Sequence, residues 1–365
     1  MSQIYLVGGC VRDRLLGLLS VDRDWVVVGA TPEELLSLGY QQVGKDFPVF
    51  LHPVTKEEYA LARTERKAGN GYSGFICDFS KDITLEQDLI RRDLTINAIA
   101  MDEEGNIIDP YHGVDDIKRK LLRHVSPAFR EDPLRILRVA RFAARYHQLG
   151  FVVASETMNL MKDMVLAGEI SYLTSERIWK ETEKALSTTD PQIYFKVLEQ
   201  CGALAILFPL LSLSDTVIDA LKRSVSLTHD LTIRFSVLCS QLPSMLSVEQ
   251  LCNKMKSPNN YTKLAIMVNQ YYKDVQCVKT LTAEQIICLL NRIDVWRNPQ
   301  HLYQLVLASE ALAKTESYPQ AQYLENAYKL ANSVNVQKII SDGFIGKDIQ
   351  IELQKRRIEL LLNRI

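Results

Sequence analysis

Long apolar runs are missing from this 365-residue sequence; none approaches the roughly 18 residues that a membrane-spanning helix needs. The opening Met1-Ser2-Gln3-Ile4 enters a strand-like pattern at once, with no basic stretch followed by an apolar one, so no secretory signal is expected. No two cysteines have C-x-x-C spacing. The seven (Cys10, Cys77, Cys201, Cys239, Cys252, Cys277 and Cys288) are odd in number and mostly set among apolar neighbours. They read as reduced, small core residues of a cytoplasmic protein. Gly/Ser/Pro-rich linkers, low-complexity tracts and repeats of fixed period are also lacking. Domains are therefore expected to adjoin through helix packing rather than a tether. The net charge of −1 gives no global attraction for a polyanion. Any partner rich in phosphates must be met by local basic clusters.

Glycine is scarce in one part only. Eleven of the sixteen glycines lie in the first 113 residues and five in the remaining 252. Glycine punctuates turns, so the front third should be a turn-rich α/β unit and the rest mainly helical, an α+β chain overall. The front third carries short β-rich runs at Ile4-Tyr5-Leu6-Val7 and Trp25-Val26-Val27-Val28, with weaker ones at Gln42-Val43, Val49-Phe50-Leu51, Tyr59-Ala60-Leu61-Ala62 and Ile107-Ile108. Helical patterns intervene at 11–16, 32–38 and 94–100. From about residue 132 the apolar spacing becomes that of helices, at 133–147, 155–167, 175–187, 191–201, 216–226, 231–241, 247–256, 260–271, 283–293, 300–314, 319–332 and 345–363. Three domains are expected: 1–132 as a head, 133–210 as a helical neck and 211–365 as a helical body and tail.

Four motifs carry chemistry. In Leu6-Val7-Gly8-Gly9-Cys10-Val11-Arg12-Asp13, a strand runs into two glycines and then a helix. Backbone amides freed by the glycines can close on a phosphate, and Arg12 stands one turn in. In Asp22-Arg23-Asp24-Trp25, strand alternation turns Asp22 and Asp24 to one face, where two carboxylates invite a cation such as Mg²⁺. Gly9 and Asp22 are 13 residues apart, a spacing that resembles the layout of the nucleotidyltransferase superfamily. In Arg91-Arg92-Asp93-Leu94-Thr95-Ile96-Asn97-Ala98, an arginine pair at the start of the 94–100 helix opposes the macrodipole and calls for an anion. Arg92 can hold a triphosphate, and Asn97 can bond to a sugar hydroxyl.

The fourth motif is Glu131-Asp132-Pro133-Leu134-Arg135-Ile136-Leu137-Arg138-Val139-Ala140-Arg141-Phe142-Ala143-Ala144-Arg145. Pro133 suits a first helical position, with Glu131 or Asp132 as the cap. Arg135, Arg138, Arg141 and Arg145 fall within an arc of about 120° on a helix. None has an acidic partner at i+3 or i+4, which reads as an anion-binding face.

These four motifs resemble those of class II CCA-adding enzymes (tRNA nucleotidyltransferases), over residues 1–210 most specifically. Lys180 and its neighbours in Thr174-Ser175-Glu176-Arg177-Ile178-Trp179-Lys180-Glu181 resemble that family's last motif. The resemblance implies that Asp22 and Asp24 hold metal ions and that Gly9, Arg12 and Arg92 contact the nucleotide. It implies that Asp132 and Arg135 read the base, supported by Arg138 and Arg141. A carboxylate can accept the exocyclic amine of C or A while a guanidinium donates to the adjacent ring acceptor, a pairing that neither uracil nor guanine offers. The activity implied is addition of C, C and A to the 3′ end of tRNA from CTP and ATP. The charged, glycine-containing segment 63–74 is implied to be a mobile loop serving the switch from C to A, so that deleting 67–73 should spare CC addition and impair the final A. Bacterial poly(A) polymerases share the front motifs and are the nearest rival.

The nearest relatives implied carry a C-terminal HD phosphohydrolase domain. Here the run Ile233-Arg234-Phe235-Ser236-Val237-Leu238-Cys239 is followed by Ser240-Gln241 in place of the metal-binding pair, and His229-Asp230 stands about ten residues early. Only His229 and His301 lie beyond residue 147. The domain is therefore expected to be a degenerate scaffold that holds tRNA, with Lys355-Arg356-Arg357 and Arg364 at phosphates and His229-Asp230 capping a helix or on the surface. A metal phosphohydrolase and a binding-only protein with a dead head are the readings from other classes.

Overall fold

The computed structural model describes residues 2–20, 23–43, 49–67, 75–315 and 317–363, and no side chain at 65–67 or 75–77. Asp22, most of the expected loop at 63–74 and Arg364 therefore lie outside the described residues or side chains. The chain divides into two compact units, Met1–Thr182 with Ile193–Ile206, and Glu183–Gln192 with Leu207–Ile365.

The first unit opens on a seven-stranded mixed sheet. Its strands are β1 (Gln3–Val7), β2 (Asp24–Val28), β3 (Gln41–Val43), β4 (Val49–Leu51) and β5 (Glu58–Leu61). A separate antiparallel pair follows, β6 (Thr64–Lys67) with β7 (Phe75–Asp78), before β8 (Ala100–Met101) and β9 (Ile107–Ile108) complete the sheet in the order β3-β4-β5-β2-β1-β8-β9. β1 and β2 run antiparallel with Leu6 opposite Trp25 and Val7 opposite Asp24, while β2 and β5 run parallel. Alternation fills both faces: Val7 and Val26 join Leu89, Ala98 and Ala100 on one, while Val27, Phe50, Tyr59 and Leu61 form the core of the other. Asp24 heads β2 and is exposed.

Short helices α1 (Gly9–Leu15), α2 (Pro32–Ser37), α3 (Leu85–Leu89) and α4 (Gly113–Arg119) connect the strands. The helix expected over 94–100 is instead a 3₁₀ turn at Thr95–Asn97 followed by β8. Polar tertiary bonds override the apolar pattern there. Thr95 Oγ1 donates to Asp116 Oδ2 at 2.7 Å, and Asn97 Nδ2 donates to Asp93 Oδ1 at 2.9 Å. Gly113 is what lets α4 approach this turn. A Cβ at Gly113 would lie 2.2 Å from the Thr95 carbonyl oxygen and 2.7 Å from Ile99 Cγ1. Gly113→Ala should cost about 3 kcal/mol or more, because backbone rather than a flexible side chain must give way. A urea titration of the two proteins gives the difference directly, and an unchanged midpoint would contradict the packing.

The rest of this unit is helical apart from the short parallel pair β10 (Leu121–Leu122) and β11 (Val152–Val153). It contains α5 (Leu134–Arg145), α6 (Ser155–Leu166) and the first part of α7 (Ser175–Leu186). Most of α8 (Pro191–Gln200) and α9 (Ala203–Leu207) also belong to it.

The second unit is all helical: α10 (Asp215–Leu227), α11 (Leu231–Cys239), α12 (Met245–Met255), α13 (Asn259–Gln276), α14 (Ala283–Arg292), α15 (Gln300–Leu312), α16 (Pro319–Asn332), α17 (Val336–Ser341) and α18 (Lys347–Leu362). The single helix expected at 345–363 is thus preceded by a shorter one. α11 is buried from Thr232 to Cys239 and packs against α10, α13 and α15. Asp230 caps it, accepting the Thr232 amide at 2.9 Å and the Thr232 hydroxyl at 2.6 Å, and His229 is exposed. Ser240 Oγ returns to the Val237 carbonyl at 2.8 Å, and Gln241 donates to Tyr272 Oη at 3.0 Å. His301 Nδ1 bonds to the Ile293 carbonyl at 2.7 Å. Among the described residues no group of three or more His, Cys, Asp or Glu side chains converges in a way that could hold a metal.

Arg356 and Arg357 of the basic run near the C-terminus have partners within the protein. Arg356 donates to Glu352 and to Asp342, each at 2.7 Å, and the Arg357 guanidinium lies 3.5 Å over the Trp296 ring while donating to the Ala331 carbonyl. Both are thus engaged by neighbours within the second unit. No helix among the described residues is long and apolar enough to cross a membrane.

Candidate active site

One cleft of about 470 Å³ opens in the first unit, between the loop that follows β1, the head of β2, the segment 91–97 and the exposed side of α5. That volume suits a nucleotide-sized ligand. Eight arginines (Arg12, Arg91, Arg92, Arg135, Arg138, Arg141, Arg145 and Arg177) line it against three aspartates, Asp24, Asp93 and Asp132. A concavity so rich in guanidinium groups calls for a phosphate-bearing ligand.

Gly8 turns the chain from β1 into α1 with φ of 73°, which a side chain rarely adopts. A Cβ there would also come within 3.0 Å of Arg92 Nη1. The glycine pair thus brings backbone and guanidinium together at one wall of the cleft. Arg92 donates through Nη2 to Asp88 Oδ2 at 3.1 Å, and its buried Nε has no hydrogen-bond partner among the described residues. Arg91 donates to the other Asp88 oxygen at 2.8 Å. The buried Asp88 is one anion that the arginine pair meets. Burial pushes its carboxyl up, but Arg92 and Arg91 prevail and hold it below the usual carboxylate value.

Arg12, placed at a phosphate by its spacing, is 3% exposed and largely committed inside the protein. It donates to Asp13 Oδ1 at 2.8 Å and to Asn97 Oδ1, and its guanidinium sits 5.2 Å and 5.1 Å from the Phe142 and Tyr146 ring centroids. Asn97, expected at a sugar hydroxyl, is held between Arg12 and Asp93. Arg12 and Asn97 therefore brace the cleft floor as well as lining it.

The arginine face of α5 is present, and each member has a distant partner. Arg138 Nε donates to Asp93 Oδ2 at 2.7 Å, Arg141 Nε to Glu181 Oε2 at 2.6 Å and Arg145 Nη2 to Asp13 Oδ2 at 3.0 Å. Arg135 donates to the Ala128 carbonyl at 2.8 Å and to the Arg91 carbonyl. Burial would raise the Asp93 carboxyl, yet Arg138, Asn97 and Arg135 hold it well below the usual range. The absence of acids at i+3 and i+4 therefore marks tertiary pairing as much as an external ligand. Because these ion pairs lock side-chain positions, the arginines form a preorganised wall rather than a loose fringe.

Arg177, which spacing did not single out, completes the cleft. It forms a fork with Asp132, Nη1 to Oδ1 at 3.2 Å and Nη2 to Oδ2 at 2.8 Å. Asp132 Oδ1 also accepts the Leu134 amide at 3.0 Å, which anchors the start of α5. The structure thus gathers Gly9, Arg12, Asp24, Arg92, Asp132, Arg135, Arg138 and Arg141 around one space, with Asp22 outside the described residues; Lys180 is not among its lining residues. Arg177 lies within the segment 174–181, where nothing local distinguishes it from Lys180. Its partner is 45 residues away.

Residues 4–123 match the family model for the poly A polymerase head domain. This region is similar to a poly A polymerase head. Residues 150–214 match a second model, described as a probable RNA and SrmB-binding site of polymerase A. The cleft residues from Gly8 to Asn97 fall in the head, those from Asp132 to Arg145 between the two matched segments, and Arg177 in the second. Among solved structures, a CCA-adding enzyme in apo form II matches with a TM-score of 0.76 at 22% identity, over 99% of this chain and 91% of that one. The Thermotoga maritima CCA-adding enzyme complexed with tRNA matches at 0.72 and 21%, over 100% and 88%. A CCA-adding enzyme in complex with CTP matches at 0.75 and 22%, over 98% and 87%. The head and the helical regions after it therefore share the CCA-adding enzyme fold.

Proposed function

We propose that the protein is a template-independent nucleotidyltransferase that adds C, C and A to the 3′ end of tRNA from CTP and ATP, releasing pyrophosphate. The observation that carries this reading is the cleft itself. An exposed carboxylate, Asp24, shares the cleft with eight arginines, and the Asp132–Arg177 fork and Arg135 line the same space. The polymerase head and the fold shared with CCA-adding enzymes, solved with CTP and with tRNA, support it.

The metal reading fits this donor set. Mg²⁺ usually takes one or two carboxylates and completes its shell with water and phosphate oxygens. Asp24, with Asp22 beside it in sequence, would hold such ions against a triphosphate bound by Arg92, Arg138 and Arg141. When bound, the ions would favour ionisation of the attacking hydroxyl and stabilise the leaving oxygen. The protein's own groups then have separate tasks. The arginine wall orients the triphosphate so that the RNA 3′-hydroxyl faces the α-phosphorus in line with pyrophosphate. Asp132 accepts the exocyclic amine of C or A, and Arg135 donates to the neighbouring ring nitrogen. The three-part division into head (1–132), neck (133–210) and body with tail (211–365) belongs to the same reading, with the last part holding tRNA as a degenerate HD-like scaffold in the cytoplasm.

The test is to incubate the protein with an acceptor RNA and CTP alone, ATP alone or both, and to sequence the product ends. The expected products are a CC end with CTP alone and a CCA end with both. A long A tail from ATP alone would overturn the reading in favour of poly(A) synthesis. Asp132→Ala or Arg135→Ala should lose discrimination against UTP and GTP by about tenfold or more while triphosphate affinity changes less. Unchanged selectivity in both would remove the base-reading assignment.

A further inference from the structure

Asp132 and Arg177 carry an inference that rests on the base-reading role proposed above and goes beyond it. A carboxylate offers about four lone-pair sites, two on each oxygen. At Asp132, Oδ1 takes the Leu134 amide at 3.0 Å and Arg177 Nη1 at 3.2 Å, so both of its sites are filled. Oδ2 takes Arg177 Nη2 at 2.8 Å, which leaves it one site unused by the protein among the described residues. The pair is partly open to the cleft, with Asp132 22% and Arg177 21% exposed at the side chain.

We infer that Arg177 is a specificity-determining residue that excludes guanine by leaving Asp132 a single acceptor. A free carboxylate is well matched to guanine, whose N1–H and N2–H point the same way and can bond to both oxygens at once. With Oδ1 saturated, that two-point contact is closed. Cytosine and adenine need only one acceptor, for one hydrogen of the exocyclic amine, and the remaining Oδ2 site supplies it. Uracil presents carbonyl oxygens on either side of N3–H, and these face a negative carboxylate in any case. The clamp is therefore directed against guanine more than uracil. The fork also fixes the plane of the carboxylate, since two parallel N–H···O bonds resist rotation about the Asp132 Cβ–Cγ bond. Arg177 acts on the base through Asp132, as a positioning residue.

The test compares wild type, Arg177→Gln, Arg177→Lys, Asp132→Asn and the double variant Arg177→Gln/Asp132→Asn. Each is assayed for kcat/KM with CTP, ATP, GTP and UTP on the same acceptor RNA. In Arg177→Gln the GTP-to-CTP ratio should rise by about tenfold or more, the scale of one lost polar discrimination, with a smaller rise for UTP. Arg177→Lys, which keeps the charge and loses the fork, should fall between Arg177→Gln and wild type. In the Asp132→Asn background the Arg177 change should leave the GTP-to-CTP ratio unaltered, because an amide offers guanine a single acceptor oxygen with or without Arg177. A wild-type GTP-to-CTP ratio in Arg177→Gln, or equal losses with all four nucleotides, would overturn the inference, even with CCA addition by wild type intact. Failure of the wild type itself to add C and A would instead count against the proposed function. Matching thermal melts for the Arg177 variants keep a folding defect apart from either result.

Discussion

Asp24→Ala is expected to lower nucleotide addition by about a thousandfold or more at saturating CTP, with the thermal melt unchanged. The carboxylate is exposed at the head of β2, and the β1–β2 register that places it is made by backbone bonds, which alanine preserves. The fold therefore has little to lose. The reaction has much to lose, because a carboxylate that holds cationic charge against the transferring phosphoryl group stabilises the transition state by roughly 4 kcal/mol or more. Asp24→Asn tests the same point with shape conserved, since an amide is a weaker ligand for a hard cation. Single-turnover incorporation of labelled CMP measures both. Activity within about tenfold of wild type would remove Asp24 from the chemistry and leave the cleft a binding site. Asp22→Ala is expected to behave as Asp24→Ala does.

The second large effect lies in the other compact unit, at Arg234. This arginine is 3% exposed, sits in α11 and meets no carboxylate among the described residues. It donates instead to the carbonyls of Leu186 at 2.7 Å, Thr188 at 3.2 Å and Thr228 at 2.9 Å. Leu186 ends α7, and Thr228 follows the last turn of α10, where carbonyls lack intrahelical partners. One guanidinium thus satisfies the frayed ends of two helices, and burial pulls its pKa down without any acid to restore it. Arg234→Met keeps the apolar stem and removes the donors, so three carbonyls are left to find others. A loss of about 3–5 kcal/mol is expected from urea unfolding, with Arg234→Lys retaining part of it. A change below about 1 kcal/mol would mean that the carbonyls are readily rebonded.

The sequence made some of this plain and hid the rest for identifiable reasons. The strands β1 and β2 and most of the helices after residue 132 follow from apolar period, because each buries a continuous face. The arginine spacing of α5 was equally legible. What it could not convey is that Arg138, Arg141 and Arg145 answer to Asp93, Glu181 and Asp13, which stand 45, 40 and 132 residues away. Local charge counting sees only i+3 and i+4. The segment 94–100 misled for a related reason. Its apolar residues suit a helix, but Asp116 and Asp93 draw Thr95 and Asn97 into a 3₁₀ turn from outside the window. Lys355, Arg356 and Arg357 looked like a phosphate-binding run, yet two of the three answer to neighbours within the tail.

Those long separations bear on how the protein comes into being. Contacts distant in sequence form late, because chain entropy must be overcome before they give any return. As the chain leaves the ribosome, β1 and α1 emerge well before α5, and α5 before Glu181. Asp13 then waits for Arg145, and Arg141 for the first turns of α7. A chain stopped short of residue 181 holds every strand of the head sheet while its positive wall lacks one of its anchors. The sheet can mature first as a scaffold, and the charged cleft is among the last parts of the unit to take shape.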